Sequence, residues 1–129
     1  MKMNIAIVDD LKADRDRLLD LLKRLQGLDD VSTGTFRCFS SGEELIGQFV
    51  PREYQLVFMD ICMDRLNGIE TAARLRGQDA ALLIVFLTTS REYAFDAFPL
   101  HPFDYLVKPI GQERMRAVHD EAARLLGDE

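Results

Sequence analysis

The chain is poor in the residues that build thiol chemistry and soft-metal sites. It has two cysteines and two histidines in 129 residues. Cys38 and Cys62 stand far apart without CxxC spacing, which leaves two free thiols and a reducing compartment as the expectation. His101 and His119 lack metal-ligand spacing and are read as surface or capping residues. Long apolar runs are also missing. The longest, Ala80 to Leu87, is far short of a membrane span, and the early run Ile5 to Val8 stops at two aspartates. Positive charge is in deficit: the formal net charge is -6 and the pI about 4.9. That balance disfavours binding to nucleic acid phosphates or anionic lipid. A cytoplasmic location is expected, with no membrane contact and no direct nucleic acid contact. There is no internal repeat, low-complexity tract or Pro/Gly/Ser linker, so residues 1–129 read as one domain.

What is present is a regular alternation. Strand-like runs occur at Asn4 to Val8, Thr35 to Phe39, Gln55 to Met59, Leu82 to Leu87 and Phe103 to Val107. Helical patterns lie between them. Leu18, Leu21, Leu22 and Leu25 share one face of the first. The second opens with Ser40 and Glu43, or Ser41 and Glu44, at capping-box spacing. Ile69, Ala72 and Leu75 mark the third, Tyr93, Ala94, Ala97 and Phe98 the fourth, and Met115, Val118, Ala122 and Leu125 the last. Alternating strands and helices, with central strands apolar on both faces, predict an α/β protein: a doubly wound five-stranded parallel sheet with helices on both faces.

Chemistry is expected at the carboxyl ends of those strands, where open parallel sheets bind ligands. The first strand ends at Asp9 and Asp10, the third at Asp60, and the fourth at Thr88 and Thr89, while the fifth is followed by Lys108. Carboxylates held together raise one another's pKa unless a cation joins them. An all-oxygen set with no His or Cys suits Mg²⁺ better than zinc. An aspartate there can act as a nucleophile and form an acyl phosphate, with a lysine neutralising charge on the transferred group. Taken singly, each feature has a plain structural reading as a turn, a cap or a surface loop.

The segments "IAIVDD", "LVFMDICMDRLNG", "IVFLTT" and "FDYLVKP" together resemble the receiver domains of bacterial two-component response regulators, across nearly the whole chain. The resemblance implies the flavodoxin-like strand order 2-1-3-4-5. It implies Asp60 as phosphoacceptor from a sensor histidine kinase, and Mg²⁺ held by Asp10, Asp60, the backbone carbonyl of Cys62 and, through water, Asp9. Thr88 and Lys108 would bind phosphoryl oxygens, Thr88 and Tyr105 would form the switch, and the Lys108–Pro109 bond would be cis. The stretch "REYAFDAFPLHPFDYLVKP" is similar to receivers attached to LytTR-type DNA-binding domains, which implies transcription control through a domain outside this chain. A homodimer through the fourth helix, fifth strand and fifth helix is the implied partner mode, with Arg91, Glu92, Asp96, Arg114, Arg116 and Asp120 available for reciprocal pairs.

Several positions depart from the family pattern. Asp64 stands where many members carry proline, and Thr89 where a small residue is common; Cys62 and Ser90 occupy positions that tune phosphoryl lifetime. The chain reads as a signalling domain with self-catalysed phosphotransfer and dephosphorylation, not as an enzyme. The alternatives are a stand-alone or phosphorylation-independent binding module and a small-molecule aspartyl-phosphate hydrolase. The second is disfavoured because no acid follows Asp60 two residues later.

Overall fold

The computed structural model describes residues 3–25 and 33–127. The first and last two residues of the 1–129 span expected as one domain lie outside that description. The elements run β1 Met3–Val8, α1 Lys12–Leu25, β2 Thr33–Phe39, α2 Gly42–Gln48, β3 Leu56–Asp60, α3 Gly68–Gln78, β4 Leu83–Thr88, α4 Ala94–Ala97, a 3₁₀ turn Phe98–Leu100, β5 Asp104–Val107 and α5 Gln112–Gly127. The five strands are all parallel, in the order β2-β1-β3-β4-β5.

Strand periodicity divides the core into two layers. Ile5, Ile7, Leu56, Phe58, Val85 and Leu87 project to one face, where Leu18, Leu22 and Leu25 of α1 meet Met115, Val118 and Ala122 of α5. The alternate residues Ala6, Val8, Val57, Met59, Ile84 and Phe86 project to the other face, against Leu45 of α2, Ala72 and Leu75 of α3 and Ala97 of α4. Each fully buried large side chain contributes about 1.5–3 kcal/mol, so both faces of the sheet are strongly committed. The allocation of helices follows from handedness. The step from β1 to β2 runs one way across the sheet and the later steps run the other way, so right-handed crossovers put α1 opposite α2, α3 and α4.

Capping sets the helix starts. Ser41 accepts the Glu44 N–H at 3.0 Å, which selects the second of the two expected pairs, although the Glu44 carboxylate returns to the Ser40 N–H at 3.3 Å. A capping box missed in the sequence opens α3: Asn67 Oδ1 accepts from Glu70 N–H at 2.9 Å, and Glu70 accepts from Asn67 N–H at 3.0 Å.

Three expectations are corrected. His119 is 0% exposed and lies inside the sheet-facing side of α5, whereas Leu125 is 53% exposed. Both follow from drawing the stripe too narrowly, because the covered face includes 119, 123 and 126 as well as 115, 118 and 122. The fourth helix is a single turn of four residues, so Phe98 falls in the 3₁₀ turn after it and is 76% exposed. His101 does behave as a cap, with a left-handed backbone and its N–H on Phe98 O.

Candidate functional site

The site forms where β1 and β3 lie side by side and their outgoing connections diverge, which opens a crevice. Val8 pairs in register with Met59. One residue further on come Asp9 and Asp60, whose side chains leave the sheet on the same side because the side-chain repeat of a strand is two. Asp9, Asp10 and Asp60 each bring a carboxylate oxygen within 4.8 Å of the others. Asp9 and Asp60 are buried, and Asp10 is open to solvent.

Local structure places Asp9 and Asp60. The Leu11 N–H donates to Asp9 Oδ1 at 3.0 Å, and Arg15 donates to the Asp9 carbonyl at 2.7 Å. Asp60 ends a strand buried at all five positions. The chain then folds back so tightly that the Gly68 N–H donates to Ile61 O at 2.9 Å. A Cβ at Gly68 would stand 2.1 Å from the carbonyl oxygen of Asp60. The glycine of the "NG" pair is therefore required by close approach of α3 to the phosphoacceptor candidate's own backbone. Sequence reasoning quoted this residue without assigning it a role.

Like charges at this edge oppose ionisation. Burial first, and then the neighbouring Asp9 charge, push the Asp60 carboxyl up to about 7 against the lowering influence of Lys108. Partial burial and Asp9 also raise Asp10, with a smaller contribution from Asp64. A buried carboxylate that cannot comfortably hold its charge beside two others is the donor set of a hard, oxygen-seeking cation. The three aspartates fit a divalent ion of that kind.

Lys108 supplies the one ammonium in contact with the cluster among the described residues. Its Nζ lies 2.9 Å from Asp9 Oδ2, 2.8 Å from Asp14 Oδ2 and 3.6 Å from Asp60 Oδ1. Burial alone would lower its pKa, but hydrogen bonds to Asp14 and Asp9 and the charge of Asp60 raise it. The Lys108 N–H donates to Thr88 O at 2.7 Å, and the following Lys108–Pro109 peptide is cis, as the resemblance implies.

Thr88 is fully buried at the end of β4. Its hydroxyl oxygen accepts the Ser90 N–H at 3.3 Å, while the half-buried Tyr105 donates its hydroxyl to Ser90 O at 2.7 Å. The backbone of one residue, Ser90, thus touches both expected switch residues, through its N–H on one side and its carbonyl on the other. Thr89 and Asp64 are exposed, and Ser90 is half-buried. Cys62 is an exposed free thiol in the loop just past Asp60. The structure brings Asp9, Asp10, Asp60 and Lys108 together, ends the adjacent strand β4 at Thr88, and sets Tyr105 one strand further out on β5, joined to Ser90.

The fold is a doubly wound parallel sheet, and its carboxyl edge carries an acidic triad that could hold a metal ion beside a lysine. A family model described as response regulator receiver domain matches residues 5–120, and the chain belongs to that family. Such domains are signalling domains of two-component systems, and response regulators are phosphorylated by sensor histidine kinases. Among curated relatives, the positive alginate biosynthesis regulatory protein of Pseudomonas aeruginosa is 34% identical over 95% of this chain and 48% of its own length. The sensory transduction protein LytT of Oceanobacillus iheyensis is 29% identical over 98% of this chain and 50% of its own. The chain thus spans about half the length of the curated relatives it matches, and the name LytT agrees with the LytTR-type resemblance. Among solved structures, a two-component response regulator from Clostridium difficile superimposes with a TM-score of 0.81 at 25% identity, covering 96% of this chain and 98% of that one. The response regulatory domain of mrkE from Klebsiella pneumoniae gives 0.82 at 22% identity, covering 98% and 100%, which speaks for the fold. No helix among the described residues is long and apolar enough to cross a membrane.

Proposed function

We propose that Asp60 is a phosphoacceptor that takes its phosphoryl group from a phosphohistidine of a sensor histidine kinase. The observation that carries this reading is the convergence of Asp9, Asp10, Asp60 and Lys108 at one strand edge. A carboxylate oxygen of Asp60 attacks phosphorus, the bond from phosphorus to the kinase imidazole breaks, and an acyl phosphate forms. Mg²⁺, held by Asp10, Asp60, the Cys62 carbonyl and, through water, Asp9, would neutralise charge between the carboxylates and the incoming phosphoryl oxygens. Lys108 offers its ammonium to one phosphoryl oxygen and Thr88 its hydroxyl to another. Attack of water on phosphorus breaks the bond from phosphorus to the Asp60 oxygen, releases inorganic phosphate and returns the free carboxylate, and the domain itself promotes both steps.

The switch runs through the Ser90 backbone. When Thr88 turns toward the phosphoryl group it gives up the Ser90 N–H, and the freed residue ceases to hold the Tyr105 hydroxyl with its carbonyl. Tyr105 then changes rotamer and alters the face made by α4, β5 and α5. That face exposes Phe95 at 88% and Phe98 at 76%. Arg114 already pairs with Asp104 and Arg116 with Asp120 within the chain, so the apolar pair carries more of the contact in a homodimer than the reciprocal ion pairs expected from sequence. The net charge of -6 keeps this domain off DNA; transcription is controlled through a LytTR-type domain outside this chain, in the cytoplasm.

The test is intact-mass spectrometry after incubation with acetyl phosphate, with and without Mg²⁺, for wild type and Asp60→Asn. One phosphate adduct that requires Mg²⁺ and is lost in the variant is the expected result. Absence of any adduct, while a working receiver is labelled alongside, would instead support the phosphorylation-independent binding module.

A further inference from the structure

Asp14 has no part in the acidic triad, yet it makes the shortest contact to the site's lysine. It lies in the first turn of α1 and its Oδ2 is 2.8 Å from Lys108 Nζ, against 2.9 Å for Asp9 and 3.6 Å for Asp60. An ammonium has three donors. Asp9 and Asp14 take two at hydrogen-bond distance, and Asp60 stands beyond it. Asp14, Asp9 and Lys108 line a cleft of about 310 Å³ between α1 and the segment after β5, and Asp60 is not part of its wall. Asp14 therefore draws the ammonium toward the cleft and not toward Asp60. The spacing is held by other bonds: Arg17 of α1 donates to Ile110 O at 2.9 Å, just past the Lys108–Pro109 pair, and Leu18 and Leu22 anchor the helix in the core.

We propose that Asp14 is a positioning residue that competes with Asp60, and with the phosphoryl group Asp60 carries, for the Lys108 ammonium, and so restrains the phosphorylated state. This rests on the reading of Asp60 as phosphoacceptor. Two effects act in the same direction. A donor engaged by Asp14 is withheld from the phosphoryl oxygens, and the Asp14 carboxylate repels the negative charge that phosphorylation adds. With Lys108 only 18% exposed, salt screens the contact less than it would a surface pair.

The experiment compares this chain with Asp14→Asn, Asp14→Glu and the control Asp16→Asn. Asp16 is an exposed acid of the same helix that pairs with Lys12. Two quantities are read in Mg²⁺: the beryllofluoride concentration at half-saturation by amide NMR, and the half-life of the phosphate adduct by intact mass. Melting curves check that each variant is folded. Asp14→Asn is expected to bind beryllofluoride at a concentration lower by about threefold or more, and to lengthen the half-life to a similar degree. Asp14→Glu should return both toward wild type, and Asp16→Asn should leave both within about 1.5-fold. Unchanged or weaker binding in Asp14→Asn, with wild type labelled normally, overturns the assignment while the phosphoacceptor reading stands. An equal gain in Asp16→Asn also overturns it, because helix charge and not the lysine contact would be responsible. A wild type that neither binds beryllofluoride nor takes a phosphoryl group defeats both readings together.

Discussion

The edge formed by β1 and β3 and the face formed by α4 and β5 belong to one sheet but are secured by different means. At the first, every residue of β3 is buried, Gly68 packs against the Asp60 carbonyl, and Asp9 is tied by hydrogen bonds from Leu11 and Arg15. At the second, the helix is a single turn, two phenylalanines face solvent, and Tyr105 rests on one carbonyl oxygen. Bond making at phosphorus needs reacting groups fixed to a fraction of an ångström. A response to it needs a segment whose alternative arrangements lie close in free energy. Under the proposed function, the molecule keeps these requirements on separate strands and joins them through the Ser90 backbone.

The contrast is broken most severely at Gly68. Gly68→Ala puts a methyl group into the Asp60 carbonyl, and a loss of about 2–3 kcal/mol is expected in urea unfolding. A change below about 0.5 kcal/mol would show that the rigid edge yields. Next comes Arg76→Ala. Arg76 donates to the carbonyls of Asp79, Ala80, Leu82, Leu100 and His101, so its loss should cost about 2 kcal/mol. Hydrogen exchange should rise in the 3₁₀ turn at Phe98–Leu100 before it rises in β3, and the reverse order would contradict the division drawn above.

Asp60→Asn should move stability the other way. Its buried carboxylate is opposed by burial and by Asp9, and an amide removes that charge for a gain of about 1–2 kcal/mol in chelator at pH 8. The sign follows from a folded-state pKa raised above the unfolded one: that penalty is absent below the unfolded value, grows as pH rises toward the folded value near 7, and is complete above it. At pH 4 the gain should therefore shrink, and a gain independent of pH would exclude the charge as its cause. The smallest effect is expected at Phe95→Ser, within about 0.5 kcal/mol by thermal unfolding, because the side chain is 88% exposed. The homodimer proposed for the phosphorylated chain, read by light scattering, should weaken instead.

Much of the rigid edge was legible in the sequence because it is written in short-range terms. Apolar runs that stop at Asp9 and Asp60 mark both the strand and its end, and parallel pairing then brings those ends together. Less of the responsive face was legible. Whether Phe98 is covered depends on where α4 stops, and no Gly or Pro stands directly after Ala97 to mark it. His119 was misplaced because a helix stripe has width as well as period, and an imidazole is small and apolar enough to sit inside it. The Asp14 contact could not be read from spacing, since its partner is 94 residues away.

Arg76 also gives the two regions different sensitivities to ionic strength. Its hydrogen-bond partners are carbonyl dipoles drawn from two segments, 79–82 and 100–101, part-buried in several cases. Surface pairs such as Lys12–Asp16 and Arg24–Asp20 fade as salt rises. Among the described residues, Asp79 is the one opposite charge that acts on the guanidinium, and the hydrogen bonds themselves end on neutral carbonyls, so the link from α3 to the segment before β5 should hold better in brines that erase the ion pairs on the outside of α1.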